Sequence, residues 1–391
     1  MRKTDHAKLF TWSLLFAVGG YAMTMTATPV LLNNFINEYG LVSVQQGFMT
    51  SMMSVGSILA SFTVMVLLGR VKKLRMLIIS AFIQVVMLIL IGLSTSLVAL
   101  LAACALLGLS CGLVDTLANS CIVDVSRDNS AKYMGALHGV FGIGSLVTPI
   151  FIQLILMGKD WRGAYFTMAA VVAVTVVQFT MVSSAVEKNI SMEEMNEPKL
   201  TRSEIKAYLM NKHNLLLLVA CVFVAAGQNG FLGWVVRYMT VAYNAETMGA
   251  MAITMYWIFG TISRFGTPRL PVDPMKLHIW GAILAGIALA VGVFSNSVTV
   301  MLVAAGAVGL FSAPCIPLIL NEGMARYRGR TALPTNVMFF VMRIVWVLLP
   351  LTQGMLSHPD AIAGSMAIPA AATILSGIVG WAAWRVGKNM K

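Results

Sequence analysis

Stretches of twenty or more residues with almost no charge follow one another along the whole of this chain, and that property leaves few folds open. A helix needs about 20 apolar residues, each rising 1.5 Å, to cross a bilayer. Of the 391 residues 58% are apolar and only 11% charged, a balance that fits a polytopic membrane protein and no soluble class. The runs predict spans near 9–36, 45–68, 76–95, 97–123, 133–156 and 163–185, then near 214–241, 248–266, 276–296, 298–321, 331–356 and 362–384. The expected fold class is therefore all-α, with twelve transmembrane helices in two six-helix bundles.

One long polar insert divides six spans from six. Its charges, Glu187, Lys188, Glu193, Glu194, Glu197, Lys199, Arg202, Glu204, Lys206 and Lys212, forbid spanning. The expected domains are an N-terminal bundle over 1–186, a cytoplasmic linker over 187–213 and a C-terminal bundle over 214–391. With both termini in the cytoplasm, 23 of the 27 Lys and Arg residues fall on the inner side. Outer loops hold Lys159 and Arg162, while Arg237 and Arg343 lie inside spans. This asymmetry predicts a multi-pass protein of a bacterial inner membrane. It also explains the net charge of +12 without a basic soluble domain, so no nucleic-acid partner is expected. The opening segment lacks a small-residue cleavage site and leads into a run too long for a signal peptide. Cys104, Cys111, Cys121, Cys221 and Cys315 all sit in spans without metal-ligand or disulfide spacing, and they read as small buried residues. No metal or organic cofactor is expected.

The run 97–123 contains Asp115, with Asn119 one helical turn later on nearly the same face. An aspartate at that depth costs roughly 3 kcal/mol on insertion scales, so it should face a cavity or a partner. Burial also disfavours its charged form, which suits a group that takes up and releases a proton. The alternative is a structural aspartate that caps or pairs another helix.

Two six-span halves around a charged linker resemble the major facilitator superfamily. The loop Gly69-Arg70-Val-Lys-Lys73-Leu-Arg75 is similar to that superfamily's Gly/Asp/Arg-rich loop, with Gly69 where an aspartate is expected. Arg264 stands at the corresponding place in the second half, and Asp124 closes the fourth span. The block Gly112-Leu-Val-Asp115-Thr-Leu-Ala-Asn119, with Met134-Gly-Ala-Leu-His138-Gly139-Val-Phe-Gly142-Ile-Gly144 and Pro149, resembles the fucose permease family of sugar:proton symporters. So do Gly227-Gln228-Asn229-Gly230-Phe-Leu-Gly233-Trp234-Val-Val-Arg237-Tyr238 and Gly309-Leu-Phe-Ser-Ala-Pro314-Cys-Ile-Pro317. The resemblance implies that Asp115 couples to protons and that Asn119 contacts solute, with Gln228, Asn229, Trp234 and Arg237 beside it. It implies cytoplasmic gating by Gly69, Arg70, Lys73, Asp124 and Arg264. The sequence also departs from that family: the first span carries no carboxylate, Gln228 replaces a glutamate, and Phe141 stands where an asparagine binds sugar.

Arg343, near the middle of its span, must face a cavity or a partner. Its planar fork can bind an anionic group of the solute, or it can pair with Asp115 across the halves; a static structural role is the third reading. Arg237, near the outer end of its span, can snorkel or touch solute. His138 can relay protons to Asp115, since its ordinary pKa is about 6.5; a hydrogen-bonded structural role is the alternative. Glycines 139, 142 and 144 suit close helix contact. Trp12, Tyr21, Trp234, Tyr256, Trp257 and Trp346 can stack on a ring or anchor at interfaces.

No Walker-type loop is present, so gradients rather than ATP should drive transport. The expected function is not enzymatic. It is proton-coupled uptake of a sugar-like or small anionic organic solute by a monomer in the bilayer, through alternating access at the repeat interface. The alternative is a proton-driven efflux antiporter for amphiphilic compounds, for which the 28 methionines would give an adaptable pocket. A sensor that does not transport would not need charges at midplane depth.

Overall fold

The computed structural model describes residues 3–67, 71–126, 130–156, 160–189, 201–327 and 332–389, and it places a helix on every run expected to span. In chain order these are α1 (Lys3–Val30), α2 (Leu32–Tyr39), α3 (Ser43–Leu67), α4 (Lys73–Leu93), α5 (Leu97–Ser126), α6 (Ser130–Leu156) and α7 (Arg162–Asn189). There follow α8 (Arg202–Met210), α9 (Lys212–Tyr243), α10 (Glu246–Gly266), α11 (Pro274–Phe294), α12 (Val298–Ser312), α13 (Cys315–Ala325), α14 (Ala332–Met355) and α15 (Ile362–Lys388). Among the described residues, eleven helical segments are long and apolar enough to cross a membrane. The run expected at 248–266 forms α10, whose 21 residues match α4 and α11 in length. Its Glu246, three threonines, Ser263 and Arg264 make it less apolar than the others, so it falls outside that set.

Two expected spans are each built from two helices. The first breaks at Leu31, just past Pro29, whose ring crowds the preceding turn and whose missing N–H removes one rung. α2 then stops at Gly40, which adopts φ +61° and returns its N–H to the Ile36 carbonyl; this left-handed cap costs glycine least. The tenth span breaks between α12 and α13 at Ala313 and Pro314. The linker is less uniformly irregular than its charges imply. α7 continues through Glu187 and Lys188 to Asn189, and Thr201 and Glu204 form a capping box that starts α8.

The chain divides into two compact units, one of Met1–Gly40 with Met49–Asn196, the other of Glu197–Lys391 with Leu41–Phe48. In the first unit, buried side chains including Phe10, Leu14, Leu77, Leu117, Ile122 and Phe179 form a shared core. Lipid tails are as apolar as leucine, so tight backbone approach rather than water exclusion must hold such helices together. A methyl group at Gly56 would strike the Ala105 carbonyl, and one at Gly108 would strike that of Met53. Ser57 Oγ donates to the Gly108 carbonyl at 3.1 Å across the same contact. α5 is thereby seated on α3. Likewise a β-carbon at Gly144 would lie 2.6 Å from the Gly19 carbonyl, so that glycine of α6 permits the close contact with α1 that its sequence suggested.

In the second unit α9 packs against α10, α14 and α15, α11 lies along α15, and α10 along α12. The five cysteines are buried free thiols.

Candidate functional site

The helix seated on α3 carries the first pair of candidate residues. Asp115 and Asn119 are both half-buried on α5. Asn119 Nδ2 donates to the Asp115 carbonyl at 2.8 Å and to its Oδ1 at 3.1 Å. Thr116, between them, spends its hydroxyl on the Gly112 carbonyl at 2.9 Å. The carboxylate therefore has an amide donor fixed one turn away by the helix itself.

His138 lies on α6 with its side chain exposed, and Phe141, one turn on, packs at 5.3 Å against Tyr21 of α1. Lys73 opens α4 and is buried. Asp124 belongs to the last turns of α5. The placements of Gly69 and Arg70, and of the Asp124 side chain, lie outside the described residues.

In the second unit two candidate residues meet at the break between α12 and α13. A carbonyl in a helix accepts from the N–H four residues later. For Ala313 that residue is Pro317, which has no N–H, and Arg264 Nε supplies the donor instead at 3.3 Å. The adjacent Ser312 carbonyl receives Gln228 Nε2 of α9 at 2.6 Å. The guanidinium of Arg264 also lies 5.3 Å from the Trp257 ring centroid. Gln228 and Arg264 thus hold non-helical backbone at membrane depth, which is tolerated only where its polar groups find partners. The spacing of Pro314 and Pro317 was the sequence signal for this break, since each removes a rung.

Arg237 is half-buried and ties α9 to the turn after α14: its Nε meets Ser357 Oγ at 3.2 Å and its Nη2 the Ser357 carbonyl at 3.4 Å. Ser357 Oγ donates its own proton to Gln46 Oε1. Asn229 is half-buried, whereas Trp234 is fully enclosed in the unit. Gln353, not singled out from sequence, bridges α9 to α15, donating to the carbonyls of Gly230 at 3.0 Å and Ser365 at 2.6 Å.

Arg343 is different from all of these. It sits halfway along α14, half-buried, and has no hydrogen-bond or ion-pair partner among the described residues. Three residues on, and so on the same face, Trp346 holds its indole N–H buried and equally without a partner. Two donors, one of them charged, thus stand three residues apart on one spanning helix with nothing among the described residues to accept them.

A family model described as "Major Facilitator Superfamily" matches residues 13–350 of this chain. Comparison with curated proteins gives no match. Among solved structures, a bacterial homolog to the human lysosomal transporter Spinster, inward-facing and unoccupied, has a TM-score of 0.74 at 14% identity over 97% of each chain. The peptide transporter POT in complex with sulfate gives 0.76 at 14% identity over 99% of each chain. A mutant of the nucleoside transporter NupG gives 0.76 at 10% identity, covering 95% of this chain and 99% of its own. At such identities what is shared is the fold.

Proposed function

The chain belongs to the Major Facilitator Superfamily, and from that premise we propose that it is a secondary active transporter that takes up a sugar-like or small anionic organic solute together with protons. The observation that carries the anionic reading is the unpartnered pair on α14. An unpaired guanidinium and an unpaired indole N–H inside a span cost several kcal/mol together unless a ligand satisfies them. A carboxylate on a hydroxylated skeleton presents the acceptors they lack, and the flat fork of Arg343 can take it through two parallel bonds.

The proton reading rests on Asp115, supported by the motif resemblance to sugar:proton symporters. While Asp115 is charged, it draws the Asn119 amide to itself. Once protonated it is a weaker acceptor, and the amide becomes available to solute. Binding of proton and solute are linked in this way by one hydrogen bond on one helix. Alternation of access then carries both across. The distribution of Lys and Arg supports an inner-membrane protein with both termini in the cytoplasm.

The test is reconstitution in liposomes loaded with a pH-sensitive dye, challenged with pools of neutral sugars, sugar acids and carboxylates, with Asp115→Asn beside wild type. Acidification driven by the sugar acids or carboxylates and absent in the variant is the expected result. Proton release triggered only by amphiphilic compounds would replace uptake with export. Unchanged coupling in Asp115→Asn would remove Asp115 from the mechanism.

A further inference from the structure

The second unit carries a group of tryptophans and cations that transport does not use. α11 and α15 approach closely: a β-carbon at Gly286 would lie 2.7 Å from the Ala370 carbonyl, and one at Gly377 would lie 2.7 Å from that of Ile279. This contact brings the first turn of α11 beside the last turns of α15. Asp273 caps α11, accepting from the N–H of Met275 at 2.8 Å and of Lys276 at 3.4 Å, and its other oxygen takes Trp384 Nε1 at 3.0 Å. Over the Trp384 ring lie two ammonium groups, Lys388 at 4.2 Å and Lys276 at 5.6 Å from the centroid. They are therefore less than 10 Å apart. Arg385 covers Trp381 at 4.2 Å.

Charge does not balance here. Asp273 is the one carboxylate among the described residues of this cluster, and both its oxygens are engaged. The neighbouring Arg326, which donates to the Gly387 carbonyl at 3.0 Å, is already matched by Glu322 at 3.5 Å. Lys276, Arg385 and Lys388 are exposed, and Lys276 and Arg385 each stand at the end of an exposed apolar stripe. On α11 Lys276 leads to Trp280, 63% exposed, then Leu284 and Ile287; on α15 Arg385 follows Trp381, 44% exposed, and Ile378. Convergent cations at the end of a spanning helix pair, with apolar tracks running away from them, match one chemistry at both ends: a phosphate and its acyl chains.

We propose that the α11–α15 end, with Lys276, Arg385 and Lys388 around Trp381 and Trp384, is a binding site for an anionic phospholipid. The phosphate sits among the three cations and relieves their mutual repulsion, and the chains lie along the stripes. Basic pockets between spanning helices recognise anionic headgroups by this combination.

The experiment is native mass spectrometry of the full chain released from detergent with equal amounts of phosphatidylglycerol and phosphatidylcholine of identical chains. Each basic residue at a membrane surface contributes roughly fivefold in binding, so Lys276→Gln with Lys388→Gln should cut phosphatidylglycerol retention roughly thirtyfold and leave phosphatidylcholine unchanged. Lys206→Gln, on α8 outside the cluster, should change neither. Should the double variant fold poorly, Lys388→Gln alone, exposed in the last turn, should lose roughly fivefold. No preference in wild type, the same preference in the lysine variants, or an equal loss in Lys206→Gln would each overturn the site. Displacement of the lipid by soluble glycerol phosphate at equal concentration would do so too, because the chains would then contribute nothing.

Discussion

At the scale of single residues, a polar group inside a span is informative through what it is bonded to. Gln228, Arg237 and Arg264 all have protein acceptors, whereas Arg343 has none in its unit among the described residues. Removing a half-buried charge that has no partner should not unfold a protein. Arg343→Ala is therefore expected to keep or slightly raise the thermal midpoint while weakening solute binding tenfold to a hundredfold, the worth of about 1.5–3 kcal/mol for a bond to a charged group. Arg343→Lys, which keeps the charge and loses the fork, should recover only part of the affinity. Solute-binding isotherms beside thermal unfolding of the same samples read the two effects separately. A large fall in thermal midpoint with unaltered affinity would make Arg343 a structural residue. For Asn119, substitution by Ala removes the amide that donates to the Asp115 carboxylate and should lower solute affinity.

At the scale of elements, stability lies in places where backbone meets backbone or a side chain repairs it. Arg264→Ala leaves the Ala313 carbonyl without a donor, and Gln228→Leu does the same for Ser312. Each should cost about 1 kcal/mol in a reversible unfolding assay, the usual worth of a hydrogen bond between spanning helices. Gly56→Ala should cost more, about 1–3 kcal/mol or loss of folding, since α3 and α5 would have to part. A different junction joins α2, α4 and α7. Arg162 binds Glu38, Asp160 and the Ser94 carbonyl, Trp161 donates its indole N–H to Glu38, and Tyr39 OH donates to the Ser94 carbonyl at 2.9 Å. The hydrogen bond from Arg162 outweighs burial and, with Trp161, holds the Glu38 carboxyl below its ordinary 4.5. A carboxyl with a depressed native pKa stabilises the fold above its unfolded value, and that contribution is lost as pH falls through the native one. Thermal midpoints should therefore drop as pH is lowered from about 4.5, and the drop should be shallower in Glu38→Gln.

At the scale of the whole molecule, the placing of 23 of 27 basic residues predicts the side on which each segment lies. Reporter fusions after Lys391 and within the polar insert should both report cytoplasm, and one inserted near Lys159 the opposite side. A C-terminal fusion reporting the outside would reverse the topology and the direction of transport with it. The helices were legible in the sequence because the bilayer permits only long apolar runs to span, and a run needs no knowledge of its neighbours to qualify. Asp115 and Asn119 were legible for a similar reason: a spacing of four residues places them together on any helix. The breaks at Leu31 and at Ala313 could be read only as far as the prolines that cause them. Which side chains cover the carbonyls at the second break depends on residues 49 and 84 positions away in the chain. The same holds for the separation of Arg343 from Arg237 and Arg264, three arginines alike in sequence, since a partner across a helix contact leaves no local trace. Composition and local spacing determined the spans and the pairing of Asp115 with Asn119 on one helix, because these depend on transfer to lipid and on one helix's own geometry. Only tertiary packing decided which polar groups are spent on holding the helices and which find no partner among the described residues, because satisfaction of a hydrogen bond belongs to two residues and not to one.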